Sequence, residues 1–400
     1  MDRYVNGWIG ESALLHYAMI PMMQSLICFI SHLISSLLHI ISSLHLIITS
    51  HLFITSHHIF SSHHHVTSLH IITSLHHNTT AQHYDLSNEL FETFLDDDHM
   101  MYSSAIFETV IEESKPTING GGILLVHHRG SIEDAQLRKI DALLSKLEPI
   151  TPDMTLLDIG FGWGGICIRA AEKYGCHVVG ITLSVEQKTL AEKKVKAKGL
   201  QHLISFELID YREFAQKRNN NSINISRGGG GGGEKLFDRI VSCEMIEAVG
   251  HNYLGSFFAA VESLLAVDGM FVMQAITIPD ARYPVYVKSA DYINSIIFPG
   301  GCCPSLSALL SAMALNSKLH LESANNTNSH YAETLRRWRY KFNSSLSKVR
   351  ALGFDDTFIR LWNLYFCYCE AGFEAKVINL QILAFTRPGN LSLYASEKKL

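Results

Sequence analysis

The chain has 400 residues, of which 47% are apolar, enough for one large domain or two ordinary ones with a sizeable core. A formal net charge of −5 gives no general basic surface and argues against nucleic acid as a partner. The eight cysteines form no C-x-x-C pair, which excludes a zinc or redox centre of that kind and points to a reduced intracellular compartment.

The first 82 residues are a low-complexity segment. From Ser12 to Tyr84 there is no Asp, Glu, Lys or Arg, and Thr49 to Asn78 runs as a tandem hexad of the type "TSHLFI", "TSHHIF", "SSHHHV". Three readings stay open. Ala18 to Leu46 is uncharged for more than ~20 residues and is a candidate membrane segment. Clustered His can bind metal. A translated repeat can also be dispensable and unpacked.

Helical spacing begins beyond His83, with Leu86, Leu90, Phe91 and Phe94 able to share one face. Glu133 to Glu148 repeats that spacing, and "INGGGILLVHHRG" between them reads as a loop insertion. This part, 83–150, is expected to be a helical lead-in to the domain over 151–400. There strands and helices alternate. "MTLLDIG", "HVVGIT", "LISFELI", "DRIVSCEM" and "MFVMQAITI" read as strands; "WGGICIRAAEKYG", "SVEQKTLAEKKVKAKG" and "YLGSFFAAVESLLAVDG" read as helices. Ser184 fits an N-cap, Gln187 completes a capping box and Gly199 fits C′. Such alternation predicts an α/β fold with a parallel sheet buried on both faces. Ligands then bind beyond the carboxyl ends of the strands. "RNNNSINISRGGGGGGEK", Arg218 to Lys235, reads as a flexible surface loop.

The turn after the first of these strands, "LLDIGFGWGG", satisfies G-x-G-x-x-G with Gly160, Gly162 and Gly165. Its glycines permit close backbone approach to a nucleotide-like cofactor, and the helix start offers free N–H groups. A nicotinamide enzyme wants an acid about 20 residues on. The next strand ends in "GITLS", without one, which argues against a dinucleotide. Asp210, at the following strand end, is able to accept from an adenine amino group or to serve as a cap.

Beyond the glycine turn, the stretches "HYDLSNELF", "YSSAIF", "EDAQLRKI", "VVGITLSVEQ", "DYREF", "FDRIVSCEMIEAVGH", "FPGGCCPSLS", "TLRRWRYKF" and "FTRPGN" follow one another in order. From about His83 to Asn390 the chain resembles the cyclopropane-fatty-acyl-phospholipid synthases and the related mycolic-acid methyltransferases. The resemblance implies a class I S-adenosylmethionine-dependent methyltransferase (Rossmann-like) fold with a helical cap over about 283–350. It implies cofactor contacts from Tyr102 and Ser103, and from Asp158, Ile159, Gly160, Phe161, Gly162, Trp163, Gly164 and Gly165. Further contacts are implied from Thr182, Leu183, Ser184 and Gln187, and from Asp210 and Tyr211. Tyr102 is suited to cover a sulfonium; Trp163 suits either that cage or packing of the helix start.

The family's reaction joins the cofactor's methyl carbon to both carbons of a cis double bond in an acyl chain. Bicarbonate is the implied base, held by Glu247, the backbone of Ile276 and Tyr331. Gln274 stands where bacterial members have His, as in plant-type members, and Ser104 stands where Cys is usual. Cys369 matches a cysteine once considered a nucleophile, although a buried structural thiol fits it better. Phe298, Leu306, Leu309, Leu310 and Met313 are expected to wall the acyl chain. The run "RRWR" is suited either to phospholipid head groups or to a solvated helix face. The implied partners are unsaturated phospholipid acyl chains at a membrane surface, with a homodimer as a further expectation and a cytoplasmic, membrane-peripheral setting. Two rival readings are an N-methyltransferase of a small amine and a non-catalytic family member.

Overall fold

The computed structural model describes residues 87–113, 124–227 and 236–391. The readings of residues 1–82, Leu86 and the glycine run 228–233 lie outside the described residues. Among the described residues no helix is long and apolar enough to cross a membrane.

Five strands run parallel. They are β3 (Thr155–Ile159), β4 (His177–Thr182), β5 (Ile204–Leu208), β6 (Phe237–Cys243) and β7 (Leu265–Thr277). All but β5 contain hydrophobic residues in succession. Leu156, Leu157, Asp158 and Ile159 are all buried, the mark of a strand covered on both faces. The sheet order is β5-β4-β3-β6-β7-β9-β8, with β9 (Asn379–Thr386) antiparallel to both β7 and β8 (His320–Asn326). The order reverses between β3 and β6, and a ligand crevice is expected at that switch point.

The helices follow their caps. Ahead of the sheet lie α1 (Asn88–Phe91) and α2 (Ile132–Ser145). The glycine turn leads into α3 (Gly165–Tyr174), which ends at Gly175 with φ +67°. Ser184 accepts from Gln187 N–H at the start of α4 (Val185–Ala197), and Gly199 follows its end with φ +71°. Next come α5 (Tyr211–Arg227) and α6 (Leu254–Leu264). After β7 follow α7 (Tyr283–Tyr286), a π-turn at Ile293–Ile297 and α8 (Leu306–Asn316). Finally α9 (Asn328–Ser344), α10 (Leu346–Ala351) and α11 (Asp356–Glu374) pack beside the sheet's end.

Several expectations are corrected. The expected loop over "ILLVHHR" contains β2 (Leu124–Arg129), which pairs antiparallel with β1 (Glu108–Glu113), so the lead-in is not wholly helical. The polar run from Arg218 continues α5 to Arg227 instead of opening a loop. The helix read through "LLAVDG" stops at Leu264, where β7 begins. The cap is not purely helical either, because β8 joins the main sheet. The helical spacing around Leu90 yields only the single turn of α1. Its aromatic residues are buried all the same, because Phe94 lies against Trp338, Phe342, Trp362 and Phe366 with ring centroids 5.3–6.4 Å apart. Offset and edge-on aromatic contacts of this kind anchor the lead-in to α9 and α11.

Candidate active site

The first cavity opens at the carboxyl ends of β3, β4 and β5. The chain turns sharply at Gly160 and Gly162, with φ +82° and +57°. Both glycines line the cavity with Ile159, Phe161 and Trp163. A Cβ on Gly160 would stand 2.8 Å from Met245 Cγ, whereas nothing lies within 4 Å of one on Gly162. The helix that follows has no side-chain cap, and Ile166 of its first turn lines the cavity. Gly164 and Gly165 do not line the cavity. Their tightness serves packing: a Cβ would meet Ala191 at 3.2 Å and Met101 Sδ at 2.8 Å respectively.

Thr182, Leu183, Ser184 and Gln187 line the far wall. The capping box is only half made. Ser184 Oγ accepts from Gln187 N–H, but the Gln187 carbonyl accepts from Thr182 Oγ1 at 3.0 Å instead of reaching the Ser184 N–H. Asp210, just ahead of α5, and Tyr211, its first residue, close the cavity. Asp210 accepts from the Arg212 backbone at 2.8 Å and from its guanidinium at 2.7 and 2.9 Å, so the cap reading of Asp210 is realised. Arg212 also lines the cavity, and the sequence reading had passed over it.

Trp163 is buried at the edge of the cavity, and its Nε1 donates to Asn88 Oδ1 at 2.7 Å. Asp158 lies beneath the turn, outside the cavity lining and fully buried. Burial pushes its carboxyl up to about 7, partly offset by the Cys167 thiol and the Lys139 ammonium. Lys139, inside α2, is itself fully buried and donates to Ser103 Oγ at 2.7 Å. Nothing in the amphipathic reading of α2 had singled it out.

A second, mostly apolar cavity adjoins the first. Tyr102, Glu244 and Ala248 line both. Its other walls include Glu247, Ile276, Phe298, Tyr331 and Tyr365. Of the expected acyl-chain wall, Phe298 alone is there. Leu306, Leu309, Leu310 and Met313 belong instead to the hydrophobic core that holds Phe257 and Leu254 of α6.

Two carboxyl groups meet at the junction. Glu244 was missed in the sequence, although a second acid three residues before Glu247, at the end of β6, sits where sheet ligands bind. The Glu244 carboxylate accepts from Ser104 N–H at 2.9 Å, from Gln274 Nε2 at 2.6 Å and from Tyr331 OH at 2.6 Å. Glu247 Oε1 accepts from Ile276 N–H at 2.5 Å, and its Oε2 is buried without a partner. Burial first, then the charge of Glu244, push the Glu247 carboxyl up to about 8, so near neutral pH it holds its proton. Burial raises Glu244 as well, against the pull of its three donors and Lys139. Bicarbonate does not fit this arrangement, because the donors it would need already serve Glu244 and Glu247. Ser104 contributes its backbone; its hydroxyl donates to Ala105 O.

Two further expected sites lie outside both cavities. Cys369 lines neither cavity, and burial pushes its thiol up to about 12, away from the thiolate form. The basic run is paired within the fold. Arg336 bonds Glu333, Glu370 and Glu374, Arg337 bonds Glu333, and Arg339 bonds Glu370, while Trp338 is fully buried.

Comparison with known proteins agrees with this geometry. The model of the mycolic acid cyclopropane synthetase family matches residues 73–383. Tuberculostearic acid methyltransferase UfaA1 of Mycobacterium tuberculosis is 37% identical over 309 residues, 77% of this chain and 65% of that protein. Cyclopropane-fatty-acyl-phospholipid synthase of Escherichia coli is 30% identical over 308 residues, 76% of this chain and 67% of that protein. The chain thus spans about two thirds of these relatives' own length. The solved structure of mycolic acid cyclopropane synthase CmaA1 complexed with SAH and CTAB matches with a TM-score of 0.63 at 27% identity, covering 78% of this chain and 98% of that one. The chain belongs to the mycolic acid cyclopropane synthetase family and carries its S-adenosylmethionine-dependent methyltransferase fold.

Proposed function

We propose that this chain adds the methyl carbon of S-adenosylmethionine to a cis double bond in a phospholipid acyl chain and closes it to a cyclopropane ring. The observation that carries the reading is the junction of the two cavities at Tyr102 and Glu244. One cavity has a glycine turn and a bare helix start, suited to a nucleotide-like cofactor. The other is apolar, suited to an acyl chain. When bound, the cofactor supplies an electrophilic methyl group.

The chain's own residues set the conditions. Gly160, Gly162, Thr182, Ser184, Gln187 and Asp210 would hold the cofactor, and Tyr102 would cover its sulfonium, a contact worth about 0.5–2 kcal/mol. Phe298, Tyr331 and Tyr365 keep water from the carbocation that methyl addition leaves on the acyl chain. The buried negative charge of Glu244 stabilises that cation in a site of low dielectric.

A second outcome, a methyl branch beside a retained double bond instead of a ring, formed when the cation loses a proton from the acyl chain itself, is favoured by the name of the 37% identical relative, a methyltransferase. Labelled cofactor is to be incubated with vesicles of cis-unsaturated phospholipid and, separately, with small amines. Label in the lipid, with a mass gain of one CH₂ and ring protons in the NMR spectrum, is the expected result. A branched product would select the second outcome, and label in amines alone would overturn both.

A further inference from the structure

We propose that the Glu244 carboxylate occupies the seat that the family resemblance gives to bicarbonate, and that Glu244 is the base that takes the proton from the added methyl group. This rests on the acyl-chain reading above. Every donor expected for the free anion is engaged by a protein carboxyl. Ser104 N–H, Gln274 Nε2 and Tyr331 OH converge on Glu244, and Ile276 N–H is taken by Glu247. Tyr331 OH and Ser104 N–H have one hydrogen each, so neither can serve a second anion. A second negative charge beside Glu244 would also be repelled in so buried a place.

The backbone supports the same assignment. Glu244 has φ +50°, a left-handed conformation that glutamate rarely adopts. Such strain costs on the order of 1–3 kcal/mol and persists where the surroundings impose it. Here its N–H donates to Gln274 O at 2.8 Å, on the strand whose side chain also holds the carboxylate. Glu247 is a poor base by comparison, because it keeps its own proton near neutral pH.

The step balances. The new C–C bond to one alkene carbon forms as the C–S bond breaks, and the sulfur leaves as a neutral thioether. The neighbouring carbon is left positive. One C–H bond of the added methyl then breaks. Its electron pair closes the second ring bond, and its proton moves to a Glu244 oxygen. The positive charge that enters on the sulfonium therefore ends as that proton.

The test compares wild type with Glu244→Gly and Glu244→Gln in CO₂-free buffer and with added bicarbonate. Glycine accepts φ +50° without strain, so E244G should fold; thermal unfolding and cofactor calorimetry check both variants. One readout is binding of ¹³C-bicarbonate by NMR line width, and the other is labelled methyl entering phospholipid. Wild type should show no saturable bicarbonate binding and equal turnover in both buffers. E244G should bind bicarbonate, lose about 10²-fold or more of its turnover without it, and regain much of that with it. E244Q should bind none and stay inactive, because its amide still fills the seat. Saturable binding to wild type, turnover that needs bicarbonate, or an E244G variant active without it would overturn the proposal. If wild type puts no label into lipid, the acyl-chain reading fails, and the binding experiment still decides what fills the seat.

Discussion

The indole Nε1 of Trp163 donates to Asn88 Oδ1 at 2.7 Å, and Asn88 Nδ2 donates to Glu186 O at 3.4 Å. One side chain from the lead-in thereby braces the glycine turn and the start of α4, two walls of the cofactor cavity. Asn88→Ala leaves the buried indole N–H without an acceptor, at a cost of about 1–3 kcal/mol. Thermal unfolding should shift down accordingly, and calorimetry should show weaker cofactor binding. Unchanged stability would show that the brace is idle.

Gly160 and Gly162 should answer differently to alanine. Each substitution places a Cβ at positive φ, at about 1–2 kcal/mol. Gly160→Ala also collides with Met245 and should lose more stability. Gly162→Ala meets no protein atom, so its effect should fall on cofactor affinity, by about tenfold, since a methyl group can displace a close backbone contact worth ~1.4 kcal/mol. Paired unfolding and calorimetry separate the two; equal losses in both would contradict the assignment.

The sheet and the cofactor turn were legible because their signals are local. Leu156 and Leu157 in a run, the Ser184 cap and the glycines at 160 and 162 each declare themselves within a few residues. The carboxyl pair was half legible. Glu244 and Glu247 share one strand end, and only the fold shows that Ser104, Gln274 and Tyr331 converge on the first. Lys139 stands among charged neighbours and reads as an exposed position, yet it is fully buried beneath Ser103. Strand β8 was invisible because "HLESANN" is a polar edge sequence defined by the partner it pairs with, and β2 was hidden because its "LLV" follows a run of three glycines that reads as a loop.

Glu247 should make stability depend on pH. Between its ordinary value of 4.5 and about 8, the unfolded chain has released this proton and the folded chain has kept it. The unfolded state then binds fewer protons, so stability falls as pH rises through that window. Relative to Glu247→Gln, wild type should lose up to about 1.4 kcal/mol per pH unit there, and no more above it. Urea unfolding across the window measures this; parallel curves for the two proteins would refute it.

The arginines of α9 should matter to stability and not to vesicles. Arg336→Ala breaks pairs to Glu333, Glu370 and Glu374 and should cost on the order of 1 kcal/mol. Vesicle sedimentation should change by less than about twofold, against the about fivefold expected if one head-group contact were lost.

The place of β9 bears on how the protein is made. It is the last strand of the sheet in the chain, yet it lies between β7 and β8. During translation β3 to β7 can assemble in turn as they emerge, but β8 has no neighbour to pair with until residues 379–386 arrive. The β7 side of the sheet, which carries Gln274 and Ile276, is therefore completed last. A nascent chain that stalls before residue 379 leaves β7 with an unpaired edge and β8 with no strand beside it.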